Sequence, residues 1–393
     1  MKVCFETFGC RLNKAEALQM EAEYLAKGWE LTDKHADADV IVVRGCSVTA
    51  RAQRDCQRLI DHLRRHYPAT PIRVCGCLPK STVTGRLKTS DKISDLAKTN
   101  TDALPTRTAR AYLKVQDGCA GKCTFCIVPK FRGPSKSESF IGLLGRAKRF
   151  VDSGYHEIVV TGCNLSLYAS EGKRLPELLS ALAGVSPDCR IRLGSLEPGD
   201  CALETVQAMS EHANICRFLH VPVQSASNRI LLAMRRPYAV RDVEKLADLA
   251  TRLMPNLGLG CDLMTGFPGE TDADVSLTRA LLERYSFVNA HVFPYSERPG
   301  TPAAALQPSV PKDVRSERAR LLAKVIKDLR AKYLKRFVGQ EVELVVESEK
   351  SSTGWTSEYV FCEAAGSAAR KSLVKVRVLD IKDGHLTGRL LAR

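Results

Sequence analysis

The chain has 393 residues, 44% of them apolar, and carries 59 Lys/Arg against 44 Asp/Glu for a formal charge of +15. It is too long for one simple core, so two or three domains are expected. A helical membrane span is excluded because no run of about eighteen apolar residues exists. The first thirty residues are charged throughout, unlike a secretory leader. A cytoplasmic location is therefore expected, in which the fifteen cysteines stay reduced. Their odd number argues for metal binding by the clustered ones over a closed disulfide framework.

In chain order, residues 2–8 read as a strand, 14–27 as a helix, 39–43 as a strand, 49–66 as a helix and 72–75 as a strand. This β-α-β-α-β order predicts a parallel sheet, with its carboxyl ends along one edge. Just beyond those ends stand three Gly-Cys pairs: Gly9-Cys10, Gly45-Cys46 and Gly76-Cys77. Glycine before each cysteine lets the backbone approach a bulky ligand. Cysteine is also a common small core residue, but three pairs at equivalent positions favour a site. Cys75 competes with Cys77 as the third member.

Residues 80–110 are polar and read as a linker. Strands are then expected at 112–116, 156–160, 190–193, 218–223, 257–263 and 287–293. Helices fill the gaps, among them 138–152, 175–183, 201–212 and 240–253. Six such units predict a barrel or partial barrel with chemistry at the carboxyl ends of its strands. Polar stretches recur there: "TGCN", "SLEP", "QSAS", "TGFPGET" and "PYSERPGT". A helix at about 312–336 should bury Leu321, Val325, Leu329 and Tyr333 on one stripe. Residues 337–393 alternate as strands do and predict a small all-β barrel.

Charge is concentrated in two places. Residues 105–150 hold ten Lys/Arg against two Asp/Glu, and residues 312–336 hold ten against three. The second segment reads equally well as the solvated face of a helix, but the first surrounds a cysteine loop. RNA or another phosphate-rich partner is the favoured explanation. In that loop, "VQDGCAGKCTFCIVPKFRG", Cys119, Cys123 and Cys126 follow a C-x3-C-x2-C spacing. Three thiolates fill three corners of an iron–sulfur cube and leave one iron open. Zinc is the alternative, but a structural zinc wants a fourth protein ligand nearby.

"TFGCRLN", "GCSVT", "CGC", "VQDGCAGKCTFCIVPKFRG", "RLGSLEP", "HVPVQSAS" and "GFPGET" together resemble the methylthiotransferases of the radical S-adenosylmethionine (SAM) enzymes. The resemblance covers nearly the whole chain. It implies a flavodoxin-like amino-terminal domain over 1–95, a partial (β/α)6 radical SAM barrel over 96–336 and a TRAM-like RNA-binding barrel over 337–393. It further implies two [4Fe-4S] clusters, one on Cys10, Cys46 and Cys77 and one on the catalytic Cys119, Cys123 and Cys126. S-adenosylmethionine would contact Gly162, Asn164, Glu197 and Gln224. A tRNA substrate and an electron donor such as flavodoxin or ferredoxin are implied partners, with no membrane or DNA involved. "GCRLNKAE" and Asp117 of "QDGC" are most similar to the branch that adds a methylthio group to carbon 2 of threonylcarbamoyl-modified adenosine beside the anticodon. Isopentenyl-adenosine tRNA and a ribosomal-protein aspartate are the other substrates within the family. From another class, a non-catalytic iron–sulfur RNA-binding protein would share the cysteines but yield no product from S-adenosylmethionine.

Overall fold

The first apolar runs alternate with helices: β1 (Lys2–Thr7), α1 (Arg11–Ala26), β2 (Glu30–Leu31), β3 (Val40–Cys46), α2 (Ala50–His66), β4 (Ile72–Cys77) and β5 (Lys92–Ile93). The computed structural model describes residues 1–78, 92–93, 104, 107–348 and 351–391, so most of the expected 80–110 linker lies outside the described residues. The five strands pair in parallel in the order β2-β1-β3-β4-β5, which is the flavodoxin-like order. β3 is central and covered on both faces. Ile41 and Val43 pack on Ile60 and Leu63 of α2, while Val42 packs on Met20 of α1. Thr49 caps α2 by accepting a hydrogen bond from the Ala52 N–H at 3.2 Å.

The second unit opens with β6 (Ala111–Lys114). Next, β7 (Gln116–Asp117) and β8 (Lys136–Ser137) pair antiparallel around the cysteine loop, with the one-turn helix α3 (Val128–Arg132) between them. The alternation continues through α4 (Phe140–Asp152), β9 (Glu157–Thr161), the two-residue hairpin β10 (Ala169–Ser170) and β11 (Lys173–Arg174), α5 (Leu175–Ala183), β12 (Arg190–Leu193), α6 (Asp200–Glu211) and β13 (Phe218–Gln224). It closes with α7 (Asn228–Ala233), α8 (Val240–Leu253), β14 (Gly258–Thr265), α9 (Asp272–Tyr285) and β15 (Asn289–Pro294). Strands β6, β9 and β12 form one parallel arc, and β13, β14 and β15 another. Single bridges, Ile191 to Ile215 and Ser195 to His220, join the arcs. The result is a six-stranded partial barrel, as the alternation predicts.

The long helix α10 (Lys312–Leu334) follows, and three of the four expected stripe residues face inward: Tyr333 is buried, and Val325 and Leu329 pack against the barrel core. Leu321 is the exception at 45% exposed, while Ala319, Leu322 and Ile326 complete the buried face. That face packs against both α9 and the β14–β15 edge. Last come β16 (Glu341–Ser348), β17 (Thr353–Thr356), β18 (Phe361–Ala365), β19 (Leu373–Lys382) and β20 (His385–Leu390), a closed barrel in the order β16-β17-β18-β20-β19.

The three units are joined by specific contacts. Ala15 and Leu18 of α1 pack on Tyr112 and Val159 of the partial barrel. Glu157, fully buried, accepts hydrogen bonds from Arg192 at 2.7 Å and Arg190 at 2.5 Å. Those arginines also donate to terminal-barrel carbonyls: Arg190 to Glu343 and Trp355, each at 2.9 Å, and Arg192 to Thr356 at 2.8 Å. Burial pushes the Glu157 carboxyl up, but the surrounding arginines outweigh it and hold it far below the usual range.

Candidate active site

Cys10 is the N-cap of α1, directly after β1, and Cys46 and Cys77 end β3 and β4 as register partners. These positions flank the β1/β3 point where the strand order reverses, the usual ligand crevice of such sheets. Gly9 has φ +98°, and a Cβ there would stand 2.9 Å from the Cys46 sulfur, so only glycine lets the chain pass so close. Cys75 pairs instead with Arg44 and is buried with Val3, Met20 and Val42. That arrangement favours Cys77 as the third member.

The loop set is held differently. The Cys119 N–H donates to the Gly133 carbonyl at 3.0 Å, and the Thr124 N–H donates to the Met234 carbonyl at 3.0 Å. The Gln116 side chain donates to the Gly118 carbonyl at 2.7 Å and to Ser135 at 2.8 Å, and accepts from the Asn164 N–H at 2.9 Å. The loop is thereby locked to the "TGCN" turn. Gly121 leaves room beside the sulfurs, since a Cβ there would approach Cys119 Sγ to 3.1 Å.

Both sets fit a polynuclear cluster better than a single ion. Among the described residues, the groups whose ligand atoms all lie within 4.8 Å of one another are Cys4–Glu6–His35 and His220–Asp262–His291. The cysteine sets are wider, whereas a lone zinc with bonds of about 2.3 Å draws its sulfurs closer than that. Burial pushes the Cys77 and Cys126 thiols up to about 11, so a cationic centre is needed to hold them as thiolates. Each set also receives an arginine. Arg132 Nε donates to Cys77 Sγ at 3.0 Å, and Arg236 Nη1 donates to Cys123 Sγ at 3.1 Å.

Arg132 belongs to α3, just past the loop set, yet its sulfur contact is in the first domain. It also donates to Glu16 at 3.0 Å, Asp117 at 2.8 Å and Asn13 at 2.9 Å. Glu16 is buried and also pairs with Arg44 and Lys114. Burial opposes ionisation of both carboxyls, but Arg132 leads the charges that hold Glu16 and Asp117 below the usual carboxylate range.

The expected S-adenosylmethionine contacts converge on the ends of β9, β12 and β13. Asn164 Nδ2 donates to Glu197 Oε2 at 2.6 Å, and Glu197 pairs with Arg236 at 3.3 Å. Gln224 is buried with φ +62°, and its Oε1 has no hydrogen-bond partner. A strained residue with an orphaned buried acceptor marks a position built for a donor-bearing ligand. Gly162 lines a cavity of about 400 Å³ that opens beside Cys10, with His220, Asp262 and His291 on its wall and Tyr359 contributed by the terminal barrel.

The Radical SAM superfamily model matches residues 113–282, and the model of Uncharacterized protein family UPF0004 matches residues 2–97. Over 100% of its length the chain is 31% identical to Threonylcarbamoyladenosine tRNA methylthiotransferase MtaB of Thermotoga maritima, covering 99% of that protein. The chain belongs to the radical SAM methylthiotransferase family. This methylthiotransferase is also 30% identical to a tRNA-2-methylthio-N(6)-dimethylallyladenosine synthase of Chlorobium phaeovibrioides over 97% of the chain and 95% of that protein. Among solved structures it shares the fold of the radical S-adenosylmethionine methyltransferase TsrM of Kitasatospora setae, with a TM-score of 0.55 at 14% identity over 77% of this chain and 76% of that one. Sequence reasoning did not single out Arg132, Arg236 or Glu16 in this methylthiotransferase. The "FRG" and "MRRP" arginines lie close to the cysteine and "QSAS" motifs, but a surplus of basic residues concealed them. Asp262 and His291 gave no signal, since single polar residues in strands are common.

Proposed function

We propose that the protein is a tRNA methylthiotransferase that adds a methylthio group to carbon 2 of threonylcarbamoyl-modified adenosine next to the anticodon. The observation that carries this reading is the pair of three-cysteine sets, one of them reached by Arg132 at Cys77, with a cavity beside Cys10 walled by all three parts of the chain. In this reading residues 1–95, 96–336 and 337–393 are the amino-terminal, radical SAM and RNA-binding domains. Cys10, Cys46 and Cys77 hold one [4Fe-4S] cluster, and Cys119, Cys123 and Cys126 hold the other. When bound, the two clusters and S-adenosylmethionine supply the one-electron chemistry that activates the inert carbon–hydrogen bond and delivers sulfur.

The chain's own residues do the rest. Asn164 and Arg236 fix the Glu197 carboxylate, and the free Gln224 oxygen offers an acceptor to the cofactor. Arg132 and Arg236 donate to one thiolate in each set, and such outer contacts set ligand orientation and potential. The adenine must leave its stack to enter the cavity, and the basic surface steers the RNA there. Electrons come from a small donor of the flavodoxin or ferredoxin kind, and the reaction takes place in the cytoplasm.

A second reading, dimethylallyl-modified adenosine, is kept because relatives of both names match at similar identity. The charged cavity wall supports the threonylcarbamoyl substrate instead, since an apolar handle calls for an apolar pocket. The deciding assay offers both modified tRNAs to the reconstituted enzyme and analyses the nucleosides by mass spectrometry. Product from the threonylcarbamoyl tRNA is expected; product from the dimethylallyl tRNA alone would overturn the assignment.

A further inference from the structure

On the wall of the cavity beside Cys10 stands a cation that no carboxylate among the described residues pairs with. Arg11, the first residue of α1, lies with its guanidinium carbon 4.9 Å from the centroid of the Tyr359 ring. Among the described residues it makes no hydrogen bond and no ion pair, although a guanidinium has five donors in a planar fork. Tyr359 is braced from behind, stacked on Trp355 with centroids 4.5 Å apart at 17° and packed on Phe218 at 4.8 Å. The ring therefore holds Arg11 at the cavity wall without satisfying its donors.

On the wall with it stand two histidines joined by one carboxylate. His291 Nδ1 and His220 Nε2 both donate to Asp262 Oδ1, at 3.0 and 3.1 Å. His291 is 71% exposed, so its Nε2 remains available. The hydrogen bond to Asp262 favours the protonated ring, while the nearby Arg11 opposes it. The guanidinium fork of Arg11, joined by the ring of His291 when that ring is protonated, offers donors to a planar anion in the cavity.

We propose that Arg11 and His291 together bind the carboxylate of the substituent on the target adenosine, and so determine which modified adenosine the enzyme accepts. The inference rests on the threonylcarbamoyl reading above and deepens it. A neutral apolar substituent would leave both donors unpaired against it, so the same pair would discriminate against such a substrate.

The test uses the iron-reconstituted full-length protein with three anticodon stem-loops: one bearing threonylcarbamoyladenosine, one its carboxylate methyl ester and one dimethylallyladenosine. Affinity is read by fluorescence anisotropy, and the iron content of every variant is measured. The unaltered protein should bind the acid more tightly than the ester. Arg11→Gln and His291→Gln should each weaken the acid about 10- to 100-fold, the range for a hydrogen bond to a charged group, and barely move the ester. His291 is distant in sequence from every cysteine, which keeps the test valid if Arg11→Gln disturbs Cys10. Equal losses on all three stem-loops would make Arg11 and His291 general phosphate contacts and overturn the proposal. A preference for the acid that survives in both variants would overturn it and leave the substrate reading standing. A wild-type preference for the dimethylallyl stem-loop would sink the substrate reading and this inference together.

Discussion

The two cysteine sets reach similar ends by opposite routes. Cys119, Cys123 and Cys126 are neighbours in sequence, and their arrangement follows from local hydrogen bonds and a two-residue ribbon that ties off the loop. Cys10, Cys46 and Cys77 are brought together only when β1, β3 and β4 pair. The first site can be damaged by local changes alone. The second has no existence apart from its sheet, so the stability of the sheet is the stability of the site. The comparison teaches that a ligand set spread over a fold is as sturdy as the long-range pairing beneath it.

The largest expected effect separates the sets outright. On the proposal that each set holds its own cluster, replacing all three loop cysteines with alanine should leave about half the iron and abolish reductive cleavage of S-adenosylmethionine. Replacing Cys10, Cys46 and Cys77 should also leave about half the iron but retain that cleavage. Iron analysis and product chromatography check both. Full retention, or complete loss from either triple variant, would end the claim of independence.

Arg132 and Arg236 test whether the sets are also coupled. Arg236→Gln should perturb the loop cluster alone. Arg132→Gln should perturb the strand-end cluster, lower methylthiolation about 10- to 100-fold as outer-shell losses do, and destabilise the protein by leaving Glu16 buried with one cation fewer. Electron paramagnetic resonance of singly loaded proteins distinguishes the clusters. A change confined to the loop cluster in Arg132→Gln would show that the Cys77 contact has no effect on its cluster.

Matched glycine substitutions give a finer cut. Gly76→Ala places a Cβ 2.6 Å from the Gly45 carbonyl oxygen at φ +95°, and Gly118→Ala drives a Cβ into the Pro134 carbonyl at φ +68°. Each should cost about 1–3 kcal/mol locally and lower the iron of its own set only. Thermal melts and iron stoichiometry report the outcome; an identical pattern from both variants would contradict the local-versus-assembled distinction.

The smallest effect concerns Cys75. Cys75→Ala should leave iron unchanged and cost about 1 kcal/mol, typical of a small buried substitution. Loss of half the iron would move the third ligand from Cys77 to Cys75.

Much of this was legible in the sequence. Alternating strands and helices announced both parallel units, because each strand carries its own apolar run. The cysteine loop was readable for the same reason that it is robust: its information is contiguous. The three Gly-Cys pairs were readable only after the sheet had been inferred. Strand β17 is short, and its identity comes from pairing with β16 and β18. On α10 only Leu321 was misplaced, because helix period alone does not say which neighbours the edge of a face touches. Arg132, Glu157 and the His220–Asp262–His291 wall escaped for a deeper reason. Their meaning lies in partners tens to hundreds of residues away, which no local pattern encodes.

The anchorage of Glu157 has a consequence for interchangeability. Arg190 and Arg192 reach from that carboxylate to carbonyls of the terminal barrel, and the same turn carries Tyr359 into the cavity. The barrel is thus mortised into the catalytic body. A barrel grafted from a relative would have to bring carbonyls equivalent to Trp355 and Thr356 and an aromatic ring at the Tyr359 position. Without them the graft would strand buried guanidinium donors and leave Arg11 without its rest. The span from the terminal barrel to the cavity is consequently a fixed dimension of the chain, like the jaw of a caliper.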